Sequence, residues 1–361
     1  MSKKQESVFY STLINQHQSP MTHSLITVFL LLVTYHSSLV TDFMLSLRYE
    51  ENVLAVRDVP KPLGAGEAVV RVTLSGICNT DVEIVRGYAG FQGTIGHEFV
   101  GVVESAPGDE GLVGRRVVGE INAGCGHCEL CAGGDARHCP RRTVLGIVGR
   151  DGAHAEFLRL PAANLLPVPD EIGDERAVFA EPLAAAWGIT ERAQVTKEQR
   201  VAVIGDGKLG LLCAQALALT GAPVTLVGKH PAKLRIADAR GIETVMLDKI
   251  GGRERAFDTV VEASGSSSGF ELALDILRPR GTLVLKSTFQ GATAINAARI
   301  VVDEITVVGS RCGRFAPALE LLRRGAVDVE SLISEEFALA EGVRAIERAT
   351  APGIIKVLLR Q

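Results

Sequence analysis

The sequence predicts an α/β protein with a small, mostly antiparallel β domain and a doubly wound parallel sheet. Its 361 residues allow roughly two domains of ~100–200 residues each. Short, glycine-rich segments with period-two alternation run from Leu45 to about Pro169, and this pattern is typical of antiparallel strands. From about Val201, short apolar strands alternate with helical segments. That alternation implies right-handed crossovers and a parallel sheet.

The expected strands and helices follow from these patterns. In the first domain we predict strands over Val53–Val59, Ala68–Leu74, Phe99–Glu104 and Arg116–Glu120. In the second we predict strands over Val201–Ile204, Val224–Val227, Thr244–Met246, Thr259–Glu262, Leu283–Lys286 and Ile305–Val308, with helices over Leu209–Leu219 and Phe270–Leu277. Six such strands match the number in the dinucleotide-binding fold. A helix over Ala316–Arg324, an amphipathic stretch over Ala340–Ala349 and a strand over Ile354–Leu359 close the chain.

Charge and cysteine content narrow the possible classes of function. A net charge of −4 gives no general attraction to nucleic acid, so no nucleic-acid partner is expected. Four of the seven cysteines lie between residues 125 and 139, which indicates metal binding rather than a disulfide framework. Such a site needs thiolates, so we expect a reducing, cytoplasmic compartment.

Residues 1–43 differ from the rest of the chain. The apolar run Leu25–Val33 is shorter than the ~17–25 residues that span a bilayer. We favour an upstream extension outside the fold, because Met44 begins a natural-looking domain. The alternatives are a membrane anchor or targeting segment over residues 24–40, or the apolar core of a signal peptide.

A glycine-rich motif follows the first strand of the second domain. Gly205, Gly207 and Gly210 form GxGxxG between a strand and an apolar helix. In that context the glycines allow a tight turn, close approach of a pyrophosphate and helix–strand packing. Lys208 and Leu209 begin the helix, whose free N–H groups favour an anion. The motif therefore predicts dinucleotide binding.

The end of the next strand bears on which dinucleotide binds. The usual acidic residue for the ribose 2′-OH is missing, and the chain there reads Gly228-Lys229-His230. A small residue followed by bases accommodates a 2′-phosphate. We therefore favour NADP(H) over NAD(H); the alternative is that these bases are solvated surface.

The four clustered cysteines have the spacing of one metal site. Cys125, Cys128, Cys131 and Cys139 form C-x2-C-x2-C-x7-C, and four thiolates can close a tetrahedral structural zinc site. An iron–sulfur cluster is the alternative, because four cysteines also bind clusters.

A second, open metal site is weaker on sequence grounds. Cys78 and His97 are ligands that suit zinc, Glu98 follows directly, and Thr80 would place a hydroxyl nearby. Glu181 lies where the first domain gives way to the second, the usual place for a cleft. Taken singly, each of these residues is more often a structural one.

Together these motifs resemble the zinc-containing medium-chain dehydrogenase/reductase family, in particular its polyol, sugar and threonine dehydrogenase branch. The resemblance covers about Met44–Gln361 and is carried by GICNTD at 76–81, GHEFVG at 96–101, the four cysteines, AEPLA at 180–184 and GDGKLG at 205–210.

The resemblance implies a site and a domain layout. Cys78 and His97 would be catalytic zinc ligands, Glu181 or Glu98 the third ligand, and Thr80 the start of a proton relay. Asp81 would orient the ligands, and the four cysteines would hold a structural zinc. A GroES-like catalytic domain would comprise residues 44–170 and 310–361, with a Rossmann domain over 171–309. Family members are usually dimers or tetramers, so a homo-oligomer is expected.

The implied activity is hydride transfer between an alcohol or polyol, or the matching aldehyde or ketone, and a nicotinamide cofactor. Two departures concern the proton path: Asn79 stands where classical alcohol dehydrogenases have a basic residue, and Glu83 lies near the position of their relay histidine. The other class of function is an inactive NADP(H)-binding sensor or interaction protein, which would have lost ligands that this chain retains.

Overall fold

The computed structural model describes residues 42–288 and 295–361. The predictions for residues 1–43 and 24–40 therefore fall almost entirely outside the described residues. Within the described ranges, no helix combines the length and the apolar character needed to cross a membrane.

Most strands of the first domain form antiparallel sheets. The strands are β1 (Phe43–Glu50), β2 (Val53–Pro60), β3 (Ala68–Gly76), β4 (Gly93–Thr94), β5 (Glu98–Ser105), β6 (Arg116–Gly119), β7 (Asn122–Ala123), β8 (Thr143–Val144), β9 (Phe157–Leu160) and β10 (Leu165–Pro167). β3 pairs antiparallel with β5, and this register places Gly76 opposite Glu98. The ends of these two strands thereby come together, which positions the residues that follow β3 beside those that precede β5.

A six-stranded parallel sheet forms the second domain. Its strands are β11 (Val201–Ile204), β12 (Val224–Gly228), β13 (Glu243–Met246), β14 (Phe257–Glu262), β15 (Leu277–Leu285) and β16 (Thr306–Gly309). Their order is β13-β12-β11-β14-β15-β16, so the chain reverses direction across the sheet between β11 and β14. Ligands bind outside the carboxyl ends of the strands at such a switch point. The predicted parallel, doubly wound sheet is confirmed.

The end of the chain returns to the first sheet. β17 (Ile333–Ala338) pairs parallel with β18 (Lys356–Arg360), and β18 pairs antiparallel with β3. β17 was not predicted, because Glu335 and Glu336 interrupt its apolar pattern. We call β1–β10 with β17 and β18 the antiparallel domain, and β11–β16 with their helices the parallel domain.

Ten α-helices lie within the described residues: α1 (Asn79–Val85), α2 (Glu129–Ala132), α3 (Asp174–Ala177), α4 (Ala180–Trp187), α5 (Lys208–Ala218), α6 (Pro231–Asp238), α7 (Ser267–Ile276), α8 (Ala297–Val302), α9 (Phe315–Arg323) and α10 (Gly342–Ala349). α7 ends one residue before the predicted Leu277, which instead begins β15. The Ser266 hydroxyl accepts the Gly269 N–H at 3.1 Å and caps the start of α7.

One apolar core joins the parallel sheet to the helices that face the site. Leu183 of α4, Val203 of β11, Leu211 of α5 and Leu322 of α9 are all fully buried in this core. Burying each such side chain contributes about 1.5–3 kcal/mol. The core fixes α4 and α5, whose first turns carry Glu181 and the glycine-rich motif.

Candidate active site and metal centres

Cys78 and His97 meet because β3 and β5 are paired. Cys78 is the residue before α1, two residues after the end of β3, and His97 directly precedes β5. One possible ligand atom from each of Cys78, His97 and Glu98 lies within 4.8 Å of the others. A thiolate, an imidazole and a carboxylate form a donor set that suits a catalytic zinc. The structure thus brings together three of the four residues predicted as ligands of this site.

Asp81 holds Cys78 and His97 in place. Its carboxylate is fully buried, accepts the Cys78 backbone N–H at 2.8 Å and lies 3.3 Å from Nδ1 of His97. Burial alone would raise the pKa of Asp81, but the facing His97 and His154 imidazoles bring it well below its ordinary value. Asp81 therefore has the orienting position that the resemblance implies.

The electrostatics of the pair favour a thiolate. Burial would raise the pKa of the Cys78 thiol, but the facing His97, and then Lys208, lower it to about 5. Burial would likewise lower the pKa of His97, which Asp81 and Cys78 raise well above its ordinary value. A cysteine binds a metal ion as the thiolate. The lowered pKa of Cys78 therefore suits this environment to binding a cation.

Glu98 is engaged in a buried ion pair. Its carboxylate pairs with the ammonium of Lys356 on β18, and both side chains are fully buried. A Cβ on Gly76 would lie 2.6 Å from Glu98 Oε2 and 2.7 Å from Lys356 Cε, so only glycine leaves room for this pair. Burial lowers the pKa of Lys356 to about 8. No local pattern indicated Lys356, which lies 258 positions beyond Glu98.

Glu181 lies in the same cleft but outside the 4.8 Å group. The cleft has a volume of about 860 Å³, and its lining includes Cys78, Thr80, His97, Glu98, Glu181, Lys208, Leu209 and Lys286. Desolvation, together with the nearby Cys78, raises the pKa of Glu181 to about 7 despite the opposing effect of His97. The Thr80 hydroxyl is 3.7 Å from Cys78 Sγ, and Thr80 also lines the cleft.

The four clustered cysteines converge at one point. Their sulfur atoms lie within 4.8 Å of one another, with Cys128 Sγ at 3.5 Å from Cys131 Sγ and 3.6 Å from Cys139 Sγ. Four sulfurs at ~2.3 Å from a tetrahedral zinc stand about 3.8 Å apart, so the set fits one ion. Backbone N–H groups of Cys125 and Arg141 point at Cys139 Sγ, at 3.4 and 3.3 Å. We call residues 125–139 the four-cysteine lobe.

Arginine and glutamate side chains tie this lobe to the segments that follow α4 and β16. Arg311 donates to the side chain of Asn122 at 2.7 Å and to the Arg137 carbonyl at 2.7 Å. Glu191 accepts from Arg137 and from the backbone N–H of Arg314. The Arg311 guanidinium therefore anchors the lobe against the cleft wall.

The glycine-rich turn has the geometry expected of a phosphate cradle. Gly205 has φ +117°, and a Cβ there would lie 2.6 Å from the Ala263 carbonyl oxygen. A Cβ on Gly207 would meet nothing within 4 Å, so this side of the loop is open to a ligand. α5 starts directly afterwards with Lys208 and Leu209, and its N–H groups face the switch point.

A carboxylate that the sequence did not predict at this place lies against the end of β12. Asp206, from the glycine-rich motif itself, accepts the N–H of Lys229 at 2.8 Å and of His230 at 2.6 Å. A Cβ on Gly228 would lie 2.6 Å from Asp206 Cβ, so this glycine makes the approach possible. An acidic residue is therefore present beside Lys229 and His230, but it comes from the loop that follows β11 rather than from the end of β12.

Two family models match the chain. A model of the alcohol dehydrogenase GroES-like domain matches residues 64–170, and one of the zinc-binding dehydrogenase domain matches residues 209–324. The sorbitol dehydrogenase of Halalkalibacterium halodurans is 31% identical over 326 residues, which cover 84% of this chain and 95% of that protein.

Solved structures agree with these matches. One is described as a short chain alcohol dehydrogenase of Escherichia coli CFT073 in complex with NADH. It has a TM-score of 0.81 at 28% identity and covers 88% of this chain and 99% of its own. A zinc-binding dehydrogenase of Sinorhizobium meliloti 1021 bound to NADP has a TM-score of 0.80 at 27% identity and covers 89% and 100%.

The fold and these matches define a zinc-type oxidoreductase with a dinucleotide-binding domain. The chain belongs to the zinc-containing medium-chain dehydrogenase/reductase family, the superfamily of the alcohol dehydrogenases. It is an oxidoreductase that uses a nicotinamide cofactor to interconvert an alcohol and the matching carbonyl compound. The family, the fold class and the class of reaction predicted from the sequence are confirmed.

Proposed function

We propose that the chain is a zinc-dependent dehydrogenase of polyols or related alcohols, with its catalytic zinc on Cys78, His97 and Glu181. The observation that carries the proposal is the meeting of Cys78 and His97 with the glycine-rich loop in one cleft. The sorbitol dehydrogenase relative supports a polyol as substrate. A second zinc is proposed on the four-cysteine lobe.

The choice of Glu181 as third ligand follows from the charges around the two carboxylates. Glu98 already has a buried cationic partner in Lys356, and withdrawing it would leave that ammonium unpaired, which costs about 3–5 kcal/mol. Glu181 has a raised pKa, and therefore gains from a nearby cation. In this arrangement Glu98 balances the positive charge of Lys356 beside His97.

Each residue of the cleft has a defined part in the reaction. A bound zinc supplies a Lewis acid that polarises the substrate oxygen. Thr80 takes the hydroxyl proton of the alcohol and passes it toward solvent. Asp81 keeps Cys78 and His97 in one orientation, and the N–H groups of Lys208 and Leu209 hold the pyrophosphate. The cleft fixes the reacting carbon against the nicotinamide and excludes water.

We propose NADP(H) as the preferred cofactor. Lys229 supplies positive charge at the end of β12, and Asp206 holds the backbone N–H groups of Lys229 and His230. The imidazole of His230 also lies 3.0 Å from the Asp206 carboxylate. The structure bound to NADP shows that a relative with this fold accepts that dinucleotide.

A homo-oligomer and a reducing compartment complete the proposal. Among the residues that the structure describes, β16 is the last strand of its sheet, and its Val307, like the nearby Val301 and Val302, is exposed. An apolar edge strand is a natural surface for a second copy of the chain. The thiolates of the four-cysteine lobe favour the cytoplasm.

The test combines metal content, cofactor binding and turnover of the full chain. We expect two zinc ions per chain, tighter binding of NADP(H) than of NAD(H), and turnover with a subset of polyols or simple alcohols. Glu181→Gln should lose one zinc, whereas Glu98→Gln should retain both. The reverse result would make Glu98 the ligand, and a single zinc without turnover across the panel would contradict the proposal.

A further inference from the structure

Lys208 links the glycine-rich loop to the chain beside Cys78. It is the first residue of α5 in the parallel domain, yet its ammonium donates to the Ile77 carbonyl of the antiparallel domain at 2.8 Å. Ile77 is fully buried and directly precedes Cys78. The contact therefore spans the cleft, from the proposed phosphate cradle to the backbone that carries a proposed zinc ligand.

The Ile77 peptide group is held from both domains. Its N–H donates to the Val357 carbonyl at 3.0 Å, and its carbonyl also accepts from Lys356 at 3.3 Å. Lys356 is in turn the partner of Glu98. The Lys208 contact is the part of this arrangement that comes from the dinucleotide-binding domain.

Lys208 retains hydrogen-bonding capacity for an anion. An ammonium has three N–H donors, and among the described residues Ile77 is the only hydrogen-bond partner of this one. No carboxylate of the described residues forms an ion pair with it. Lysine binds phosphate as a point charge, and the pyrophosphate position at the start of α5 lies at its own backbone.

We propose that Lys208 is a positioning residue that couples dinucleotide binding to the catalytic zinc, by bridging the pyrophosphate and the Ile77 carbonyl. This inference rests on the proposed function. A bound dinucleotide would hold the Lys208 ammonium in one position and thereby hold Ile77 and Cys78 in place. Because coupling between two binding sites is reciprocal, the dinucleotide should slow loss of the catalytic zinc, and the zinc should tighten dinucleotide binding.

The experiment measures zinc release from the full-length, zinc-loaded protein into a colorimetric chelator, with and without saturating NADPH. Cys78→Ser, which retains only the lobe zinc, identifies the phase that belongs to the cleft. In the wild-type protein we expect NADPH to slow this phase at least about five-fold, the lower end of typical couplings. Lys208→Met should abolish the slowing at saturating NADPH, and Lys208→Arg should restore most of it.

Lys233→Met is the matched control. Lys233, on α6 of the parallel domain, also donates across to the antiparallel domain, to the Ile354 carbonyl at 3.3 Å, but Ile354 is not adjacent to a proposed ligand. This variant should retain the full coupling. Thermal melting checks that all the variants are folded, and NADPH titration sets the saturating concentration for each.

The outcomes separate the inference from the proposed function. If Lys208→Met binds NADPH more weakly but shows the wild-type slowing at saturation, Lys208 is only a phosphate contact and the coupling role is wrong. Unchanged binding and unchanged slowing would also overturn it. A wild-type protein with one zinc, or without dinucleotide binding, would instead contradict the proposed function, and this inference with it.

Discussion

The two proposed metal centres are built in opposite ways. The four-cysteine lobe takes all its ligands from residues 125–139, and short turns with backbone N–H groups orient the sulfurs. The cleft centre takes Cys78, His97 and Glu181 from three separate segments, and only the β3–β5 register and the packing of α4 bring them together. The lobe is therefore a local structure, whereas the cleft centre depends on the whole fold.

The surroundings of the two centres differ as well. Around the cleft centre, Asp81, Glu98 and Lys356 are fully buried charged side chains. In the lobe, only Cys139 of the four ligands is buried. Losing a charged group in the cleft leaves its partner unpaired in a desolvated place, whereas losing a lobe ligand frees a loop at the surface. The first kind of change should affect catalysis strongly, and the second mainly local stability.

The largest effect is expected from Cys78→Ser. Removing a ligand of the cleft centre should lower kcat by at least about 1,000-fold, since metal catalysis supplies several kcal/mol. The lobe zinc and dinucleotide binding should remain, which elemental analysis and NADPH titration will show. Cys213→Ala, a change at a buried cysteine of α5 outside both metal groups, is the control. Loss of both zinc ions in Cys78→Ser would contradict the independence of the two centres.

A smaller effect on the same centre is expected from Asp81→Asn. The amide retains the size of the side chain but removes the charge that faces His97, and changes of this kind cost about 10–100-fold in metal affinity or activity. Competition for zinc measures the loss of metal affinity, and kcat at saturating zinc measures the loss of activity. Asp58→Asn, which removes the same charge at an exposed position of β2, should leave both values unaltered. A variant with wild-type zinc affinity and kcat would show that Asp81 does not orient the ligands.

These differences explain what the sequence could predict. The cysteine spacing and GxGxxG are local patterns, so the lobe and the phosphate cradle were predicted directly from residues. Glu181 and Thr80 gained meaning only through the family resemblance, because no local rule brings position 181 to position 78. Lys356 and the position of Asp206 at β12 were missed, since both depend on strand order and on glycines that allow close approach.

A change in the lobe should affect turnover less than stability. In Cys139→Ser the most buried of the four ligands is lost, so we expect one zinc fewer per chain and proteolytic cleavage within residues 125–139. Arg311 and Arg137 connect the lobe to the cleft wall. Because this connection remains in the variant, kcat should fall less than about ten-fold, which is equivalent to about 1.4 kcal/mol. Limited proteolysis followed by mass spectrometry locates the cut. A fall in kcat as large as that of Cys78→Ser would show that the lobe is not a separate structural unit.

The smallest effect concerns the choice of cofactor and is expected from Asp206→Asn. The amide oxygen can still accept the N–H groups of Lys229 and His230, while the negative charge beside the proposed 2′-phosphate is removed. Two unit charges near a protein surface interact by about 1–4 kcal/mol at short range, and solvent reduces this at the open end of β12. The ratio of the Kd for NAD to the Kd for NADP should therefore rise about five-fold. Asp238→Asn, the same change at the exposed end of α6, is the control, and fluorescence titration with both dinucleotides gives the ratio. A fall in the ratio would mean that Asp206 supports the 2′-phosphate by holding Lys229 and His230 in place, and that its hydrogen bonds outweigh its charge.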